Sequence, residues 1–88
     1  MKVKKGFLLR EIGDSHIVVP IGERVIEFKG LMTLNDTGYF IWQCLANDIS
    51  YEQLLSSILE EYAIDQTTAK AGLDEFLNSA RDSGVLEE

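Results

Sequence analysis

The chain has 88 residues, of which 45% are hydrophobic and 26% are charged, and its formal net charge is −7. This length supports one hydrophobic core, so we expect a single domain over residues 1 to 88. The composition excludes a disordered or fibrous protein, and no apolar stretch approaches the roughly 20 residues that span a bilayer. Arg10 and Glu11 interrupt the apolar run that follows the basic start, which argues against a signal peptide. We therefore expect a cytoplasmic protein without a membrane partner.

The first part of the chain has the pattern of three β-strands. Residues 7 to 12 and 16 to 21 flank a Gly-Asp-Ser turn, and the second of them is rich in β-branched residues, which predicts a hairpin. Pro20 cannot donate to a strand ladder, so it marks an edge or the end of the second strand. A third strand is predicted over residues 25 to 34, where apolar and polar residues alternate, so that one face is buried and the other is wet.

From residue 35 the apolar period changes from two to about 3.6, which predicts three helices. Asn35 or Asp36 can cap the first helix, and Ser50 begins a capping box for the second. Asp65 caps the third helix, which Gly84 ends. The predicted apolar faces are Phe40, Ile41, Cys44 and Leu45 in the first helix, which ends near Ala46, Leu54, Leu55, Ile58, Leu59 and Tyr62 in the second, and Ala69, Leu73, Phe76, Leu77 and Ala80 in the third.

This order predicts an α+β fold in which a three-stranded antiparallel sheet is followed by a three-helix bundle, with the helices covering one face of the sheet. The arrangement is that of a winged helix-turn-helix. Trp42 lies off the apolar stripe of the first helix, where it either packs on the sheet or contacts a partner.

The residues that carry catalytic or metal chemistry are scarce. His16 and Cys44 are single residues of their types, so a nucleophile with its base, or a four-ligand zinc site, lacks its components. We expect Cys44 to be a small core residue and His16 to lie at a turn or on the sheet surface. The sequence therefore predicts no enzyme, no cofactor and no metal.

The charges are unevenly distributed along the chain. Residues 1 to 46 carry six Lys or Arg and five Asp or Glu, a balance of +1, whereas residues 47 to 88 carry two and ten, a balance of −8. Nucleic-acid binding draws most of its affinity from cationic contacts, so an acidic helical half disfavours a nucleic-acid partner. A DNA-binding winged helix-turn-helix and a general protein-interaction domain remain the alternatives, and a small enzyme ranks last.

Residues 34 to 45, LNDTGYFIWQCL, resemble the Leu-Asn-x-Thr-small-x-x-Ile-Trp-x-x-Leu signature that opens the first helix in the PqqD-like family. Residues 49 to 62 and 74 to 86 are similar to the second helix of the family and to its closing helix with a Gly-Val-Leu end. The resemblance covers about residues 7 to 86. Residues 18 to 23 and 47 to 50 depart from members dedicated to pyrroloquinoline quinone synthesis, which carry a Leu-Leu-x-Pro-Glu stretch and an Asp-Gly turn there.

The resemblance implies a recognition element that binds the N-terminal leader of a ribosomally synthesised precursor peptide. Such an element presents the peptide to a maturase, often a radical SAM enzyme. A sheet edge can accept an added strand, so we expect the leader to pair with the third strand beside the third helix. The same edge leaves a homodimer possible. The predicted peptide contacts are Arg24, Val25, Ile26, Glu27, Phe28 and Lys29 on the strand, and Lys70, Leu73, Asp74, Leu77 and Arg81 on the helix.

Within that set, Arg24 and Lys29 flank the third strand. Lys70 and Arg81 are eleven residues apart, which returns both to one side of a helix after about three turns. The sequence thus predicts a groove lined by these four cations, or four cations that only aid solubility. If the cations line a groove, Leu73 and Leu77 form the apolar floor of that groove.

Overall fold

The computed structural model describes residues 1–22 and 32–87. Its strands are β1 (Lys2–Val3), β2 (Phe7–Ile12), β3 (Ser15–Pro20), β4 (Met32–Leu34) and β5 (Leu86–Glu87), and its helices are α1 (Asp36–Cys44), α2 (Tyr51–Glu61) and α3 (Gln66–Ser83). A three-stranded sheet is followed by three helices, which confirms the predicted α+β fold. No helix in the described part of the chain is long and apolar enough to cross a membrane.

The main sheet has the order β2-β3-β4, and both neighbouring pairs are antiparallel. Val18 in the central strand is opposite Leu9 on one side and Met32 on the other, so these three side chains share a face. That face is buried, because Val18 has no exposed surface and Met32 is 7% exposed. The predicted hairpin is confirmed, and β3 ends at Pro20. Of the predicted third strand, residues 32 to 34 form β4, and residues 25 to 31 lie outside the described part.

The first two helices begin at the capping residues that the sequence indicated. For α1 the structure selects Asn35, whose side-chain oxygen accepts a 2.7 Å hydrogen bond from the Gly38 amide. In α2 the Ser50 hydroxyl accepts from the Gln53 amide at 3.2 Å, and the Gln53 side chain accepts from the Ser50 amide at 3.0 Å. Two donors that a helix start leaves unpaired are therefore satisfied reciprocally.

The third helix is the longest element, and its ends also agree with the sequence. Asp65 occupies the predicted N-cap position, but its carboxylate accepts a hydrogen bond from the Thr68 hydroxyl and makes no capping hydrogen bond to a backbone amide of the helix. Gly84 follows the last helical residue in the left-handed conformation, with φ of 78°, which suits glycine because no Cβ is present to clash.

One core joins the sheet face to all three helices. Ile41, Leu54 and Leu73 come from different helices, and each is 0% exposed. Trp42 is 8% exposed, so it packs in the core although it lies off the predicted stripe, and the structure gives no surface for the partner contact considered above. The buried set is Val18, Met32, Leu34, Ile41, Trp42, Leu45, Leu54, Leu55, Ile58, Ala69, Leu73, Phe76, Leu77, Ala80, Val85 and Leu86.

A small second sheet, formed by β1 and β5, closes the fold and has no counterpart in the sequence prediction. The Val3 amide donates to the Leu45 carbonyl at 3.0 Å, and the Lys4 amide donates to the Val85 carbonyl at 2.8 Å. The N-terminal segment therefore binds the end of α1 and the segment after α3 at the same time.

We expect Ser50→Ala to lower the free energy of unfolding by about 1 kcal/mol, because it removes the hydroxyl that caps α2. Ser56→Ala is the matched control, since Ser56 is exposed in the middle of the same helix, where alanine is the better helix former. Urea denaturation of the three proteins measures the difference. Equal losses in both variants would contradict a specific role for the cap.

Candidate functional site

A groove with a volume of about 880 Å³ lies between β4 and α3. All three residues of β4 line it, and α1 and α2 supply buried apolar side chains at its base. Asp14 in the turn between β2 and β3 and Ser15 at the start of β3 add two polar residues. The lining residues outside α3 are Asp14, Ser15, Met32, Thr33, Leu34, Asn35, Thr37, Gly38, Ile41, Ile58, Tyr62 and Ile64.

One face of α3 forms the opposite wall of the groove. Its residues recur every three or four positions, which places them on one side of a helix. Apart from the buried Ala69 and Phe76, they are exposed or half-buried, and most are small or carry a hydroxyl. This groove face consists of Thr68, Ala69, Gly72, Glu75, Phe76, Ser79 and Ser83.

Gly72 lies in the middle of α3, where glycine destabilises a helix by roughly 0.5–1 kcal/mol relative to alanine. A Cβ added at this position would meet no atom within 4 Å. Packing within the described part of the chain therefore does not require the glycine. Its effect is to leave open space along the middle of the groove.

The β4 strand has a backbone edge beside the groove. It pairs with β3 through His16 and Leu34, Ile17 and Thr33, and Val18 and Met32. Among the described residues no strand pairs with its other edge. An unpaired edge presents amide donors and carbonyl acceptors to an incoming strand.

The charges of the described groove residues are all negative. Asp14 and Glu75 are the charged residues of the lining, and both are exposed. Neither carboxylate forms a hydrogen bond or ion pair with another described residue. The remaining described lining is apolar or neutral and polar.

Comparison with known proteins fits this architecture. The family model for PqqD, coenzyme PQQ synthesis protein D, matches residues 16–86. The chain belongs to the PqqD family. A solved structure, "TbiB1 in Complex with the TbiA(beta) Leader Peptide", superposes with a TM-score of 0.76 at 23% identity and covers 99% of this chain and 95% of that one. At this identity the likeness shows a shared fold. Among curated proteins, none matches the chain.

The strand residues predicted to contact a peptide in this PqqD-family chain, Arg24, Val25, Ile26, Glu27, Phe28 and Lys29, lie outside the described residues. The predicted helix residues lie on α3, and none of them lines the groove. Lys70, Asp74 and Arg81 are exposed, and the Asp74 carboxylate accepts a 2.6 Å hydrogen bond from the Tyr51 hydroxyl of α2. That bond shows that this side of α3 is directed toward α2.

The predicted apolar floor of the groove is corrected by the structure, because Leu73 and Leu77 are 0% and 2% exposed within the core. The spacing of Lys70 and Arg81 correctly indicates a shared side of α3, but it does not reveal what that side faces. Contact between these residues and a peptide stays a prediction. Sequence reasoning missed the groove face, for which Gly72 inside a helical pattern was the available signal.

Neither of the two residues singled out for possible chemistry lies in the groove. Cys44 is half-buried on α1, and its pKa is raised by burial and, to a smaller extent, by the negative charge of Glu61. A raised pKa lowers the thiolate fraction at neutral pH, so the thiol is a poor nucleophile. The His16 ring stacks on the Tyr39 ring with centroids 4.0 Å apart and planes 4° apart. Within residues 1–22 and 32–87, no group of three His, Cys, Asp or Glu could hold a metal.

We expect Leu73→Ala to lower the free energy of unfolding by about 2–5 kcal/mol, because it leaves a cavity among α1, α2 and α3. Lys70→Ala, three residues earlier on an exposed position, should change it by less than about 0.5 kcal/mol. Chemical denaturation of both variants tests this assignment. A Leu73→Ala protein of unchanged stability would contradict the burial of Leu73 in the core.

We also expect Cys44 to react more slowly with a disulfide reagent than a solvent-exposed thiol does at the same mildly alkaline pH. The pH profile of the rate should give an apparent pKa above that of a free thiol, and Glu61→Gln should move it down, because a neighbouring negative charge is removed. Glu52→Gln, on the same helix, is the control. A profile indistinguishable from that of a free thiol would contradict the burial of Cys44.

Proposed function

We propose that this chain is a non-catalytic peptide-binding module. It binds the leader of a ribosomally synthesised precursor peptide in the groove between β4 and α3 and presents the peptide to a modifying enzyme of the radical SAM type. The observation that carries the proposal is the groove itself, in which a strand edge that no other described strand pairs with lies opposite a helix face with open space. The PqqD family match and the leader peptide named with TbiB1 support it.

Strand addition is the binding mode that this geometry favours. A leader segment pairs with β4 through backbone hydrogen bonds, which supply affinity without regard to sequence. Side chains of an extended peptide alternate between two sides, so every second one is directed toward the groove base. There it meets apolar surface from the half-buried Tyr62 and the exposed Ile64. Selectivity thus comes from the side chains and general affinity from the backbone.

The helix face explains how a fourth strand fits between β4 and α3. A bound peptide needs space for its backbone and side chains. Gly72 leaves that space in the middle of the α3 wall, where a larger residue would occupy it. Ser79 and Ser83 continue the same face with short side chains. The helix tolerates the loss of propensity at Gly72 because its other face is fixed by the core.

Presentation to a maturase is the part of the proposal that rests on the family resemblance. The gene neighbourhood tests it, since we expect genes for a short precursor peptide and for a radical SAM enzyme nearby. A mixture of the purified precursor, this chain and that enzyme should form a ternary complex in size-exclusion chromatography. Co-elution of precursor and enzyme without this chain would contradict a presenting role.

The groove is tested directly by Gly72→Leu. We expect peptides selected from a displayed random library on the unaltered chain to bind this variant at least about tenfold more weakly, because the leucine fills the space that the peptide needs. Stability should not fall, because leucine is a better helix former than glycine. Affinity is measured by isothermal titration calorimetry.

Ala71→Leu is the matched control, because Ala71 is the adjacent residue of α3, is exposed and does not line the groove. It adds a side chain of the same size to the same helix. Similar affinity of the selected peptides for Gly72→Leu and the unaltered chain, with both folded by circular dichroism, would place their site elsewhere. A weakened Ala71→Leu variant would also remove the groove from consideration.

A further inference from the structure

We infer that the modifying enzyme docks on the outer face of the main sheet, which is the face directed away from the helices, and that it contacts the bound leader there at the same time. The inference rests on the proposed function and adds the surface through which the module holds its enzyme. This surface is mostly apolar and has one cation. Its largest side chains are those of Leu8, Arg10, Ile12, Ile17, Val19 and Thr33.

The strand register places these side chains on one face. Leu8 is opposite Val19, and Ile17 is opposite Arg10 on one side and Thr33 on the other. Residues that lie directly opposite each other in an antiparallel pair project to the same side of the sheet, and successive residues of a strand alternate between its sides. The alternate residues of the same strands form the buried face that the helices cover.

The apolar residues of the outer face are open to solvent. Leu8 is 43% exposed and Ile12 is 61% exposed, whereas Leu9 of the same strand packs against the core. The described part of the chain has two further exposed large hydrophobic residues, of which Ile21 lies one residue beyond β3 and Ile64 lines the groove. Exposed apolar surface is therefore concentrated at the groove and at the outer face, and such a concentration marks a site of association.

Arg10 defines the chemistry of the surface that binds there. Its side chain is exposed and forms no ion pair or hydrogen bond with another described residue. Its neighbours on the face are apolar, with Ile17 directly opposite and with Leu8 and Ile12 two positions away on β2. Arginine is enriched in protein interfaces, where its guanidinium can bind a carboxylate through two hydrogen bonds. The matching surface of the enzyme is therefore apolar and carries an Asp or a Glu.

The outer face is continuous with the groove, and this continuity identifies the occupant. Thr33 lines the groove, and so does Ser15, which is opposite Ile12 on the same face. A leader strand added to β4 directs every second side chain toward the groove base and the others to the outer face, beside Thr33. A protein docked on the outer face thus contacts the module and the leader together. The enzyme that acts on the precursor needs both contacts, whereas a second copy of this chain does not.

These shared contacts couple the two binding events. A leader in the groove adds surface for the enzyme, so the loaded module binds the enzyme more tightly than the empty module does. The coupling is reciprocal, and the enzyme raises the affinity of the module for the leader by the same factor. An empty module therefore competes weakly for the enzyme.

The docking face is tested by Ile12→Glu, with the radical SAM enzyme encoded near this chain as the probe. We expect the variant to bind that enzyme at least about tenfold more weakly, because the new carboxylate interrupts the apolar contact and competes for Arg10. Affinity for the peptides selected from the random library should change less than about twofold, since Ile12 does not line the groove. Surface plasmon resonance measures the first affinity and isothermal titration calorimetry the second.

Ala71→Glu is the matched control, because it adds the same charge at an exposed residue of α3 that belongs neither to the outer face nor to the groove. It should leave enzyme affinity unchanged. Ile12→Thr keeps a β-branched residue in the strand, so its fold is safe, and it should still weaken enzyme binding about threefold or more.

The coupling is tested by measuring enzyme affinity with and without the precursor peptide. We expect the precursor to raise the affinity of the module for the enzyme at least about fivefold. Gly72→Leu, which fills the groove, should remove this gain and leave the affinity of the empty module unchanged. A gain of the same size in Gly72→Leu would overturn the shared contact.

The outcomes separate this inference from the proposed function. Equal enzyme affinity of Ile12→Glu and Ala71→Glu would overturn the docking face and leave the proposed function intact. Equal losses of peptide and enzyme binding in Ile12→Glu would also overturn it, since the two surfaces would not be separate. A dimer of the unaltered chain in analytical ultracentrifugation that Ile12→Glu converts to a monomer would assign the face to a second copy. Failure of the unaltered chain to bind the enzyme, with or without the precursor, would contradict the presenting role itself.

Discussion

The groove depends on the rotation of α3 about its own axis, which decides which face of the helix is buried and which faces β4. One face of the helix, which includes Leu73 and Leu77, is buried against α1 and α2. Full burial of one such side chain stabilises the fold by about 1.5–3 kcal/mol, so a rotation that exposed both would cost most of the stability of a small domain. With that face fixed, the helical repeat assigns Gly72, Glu75 and Ser79 to the side directed at β4. The core therefore decides which residues a ligand meets.

The first turn of α1 lies close to α3. Gly38 allows this turn to approach its surroundings closely, because a Cβ there would lie 3.2 Å from the Asn35 side-chain oxygen and 3.5 Å from Phe76. The same Asn35 oxygen accepts the Gly38 amide hydrogen. One asparagine thus follows β4 and caps α1, and the turn that it caps lies close to Phe76 of α3. The cap and the groove are parts of the same local structure.

The parts of the fold that could be predicted from sequence have local signals. Ser50 and Gly84 mark helix ends through interactions with residues a few positions away, and the hairpin before Pro20 follows from its turn and its β-branched residues. The pairing of Lys2 with Glu87 could not be predicted, because two-residue strands have no periodicity and their partners are at opposite ends of the chain.

The site was harder to predict than the fold for a related reason. Periodicity shows which residues share a side of a helix, but only packing shows what that side faces. Lys70 and Arg81 share a side of α3, but neither is among the described residues that line the groove, and their contact with a peptide stays a prediction. Glycine in a helix interior was informative because local propensity opposes it, so its presence needs a reason beyond the helix.

The residues that form the α3 wall of the groove belong mostly to the surface and not to the core. Thr68, Gly72, Ser79 and Ser83 are not among the buried hydrophobic residues, and substitutions at such surface positions usually change stability by no more than about 0.5 kcal/mol. Ligand preference can therefore drift by mutation while folding is preserved. After a gene duplication, two copies of this chain could diverge toward different peptides through a few changes on one helix, with no compensating change in the core.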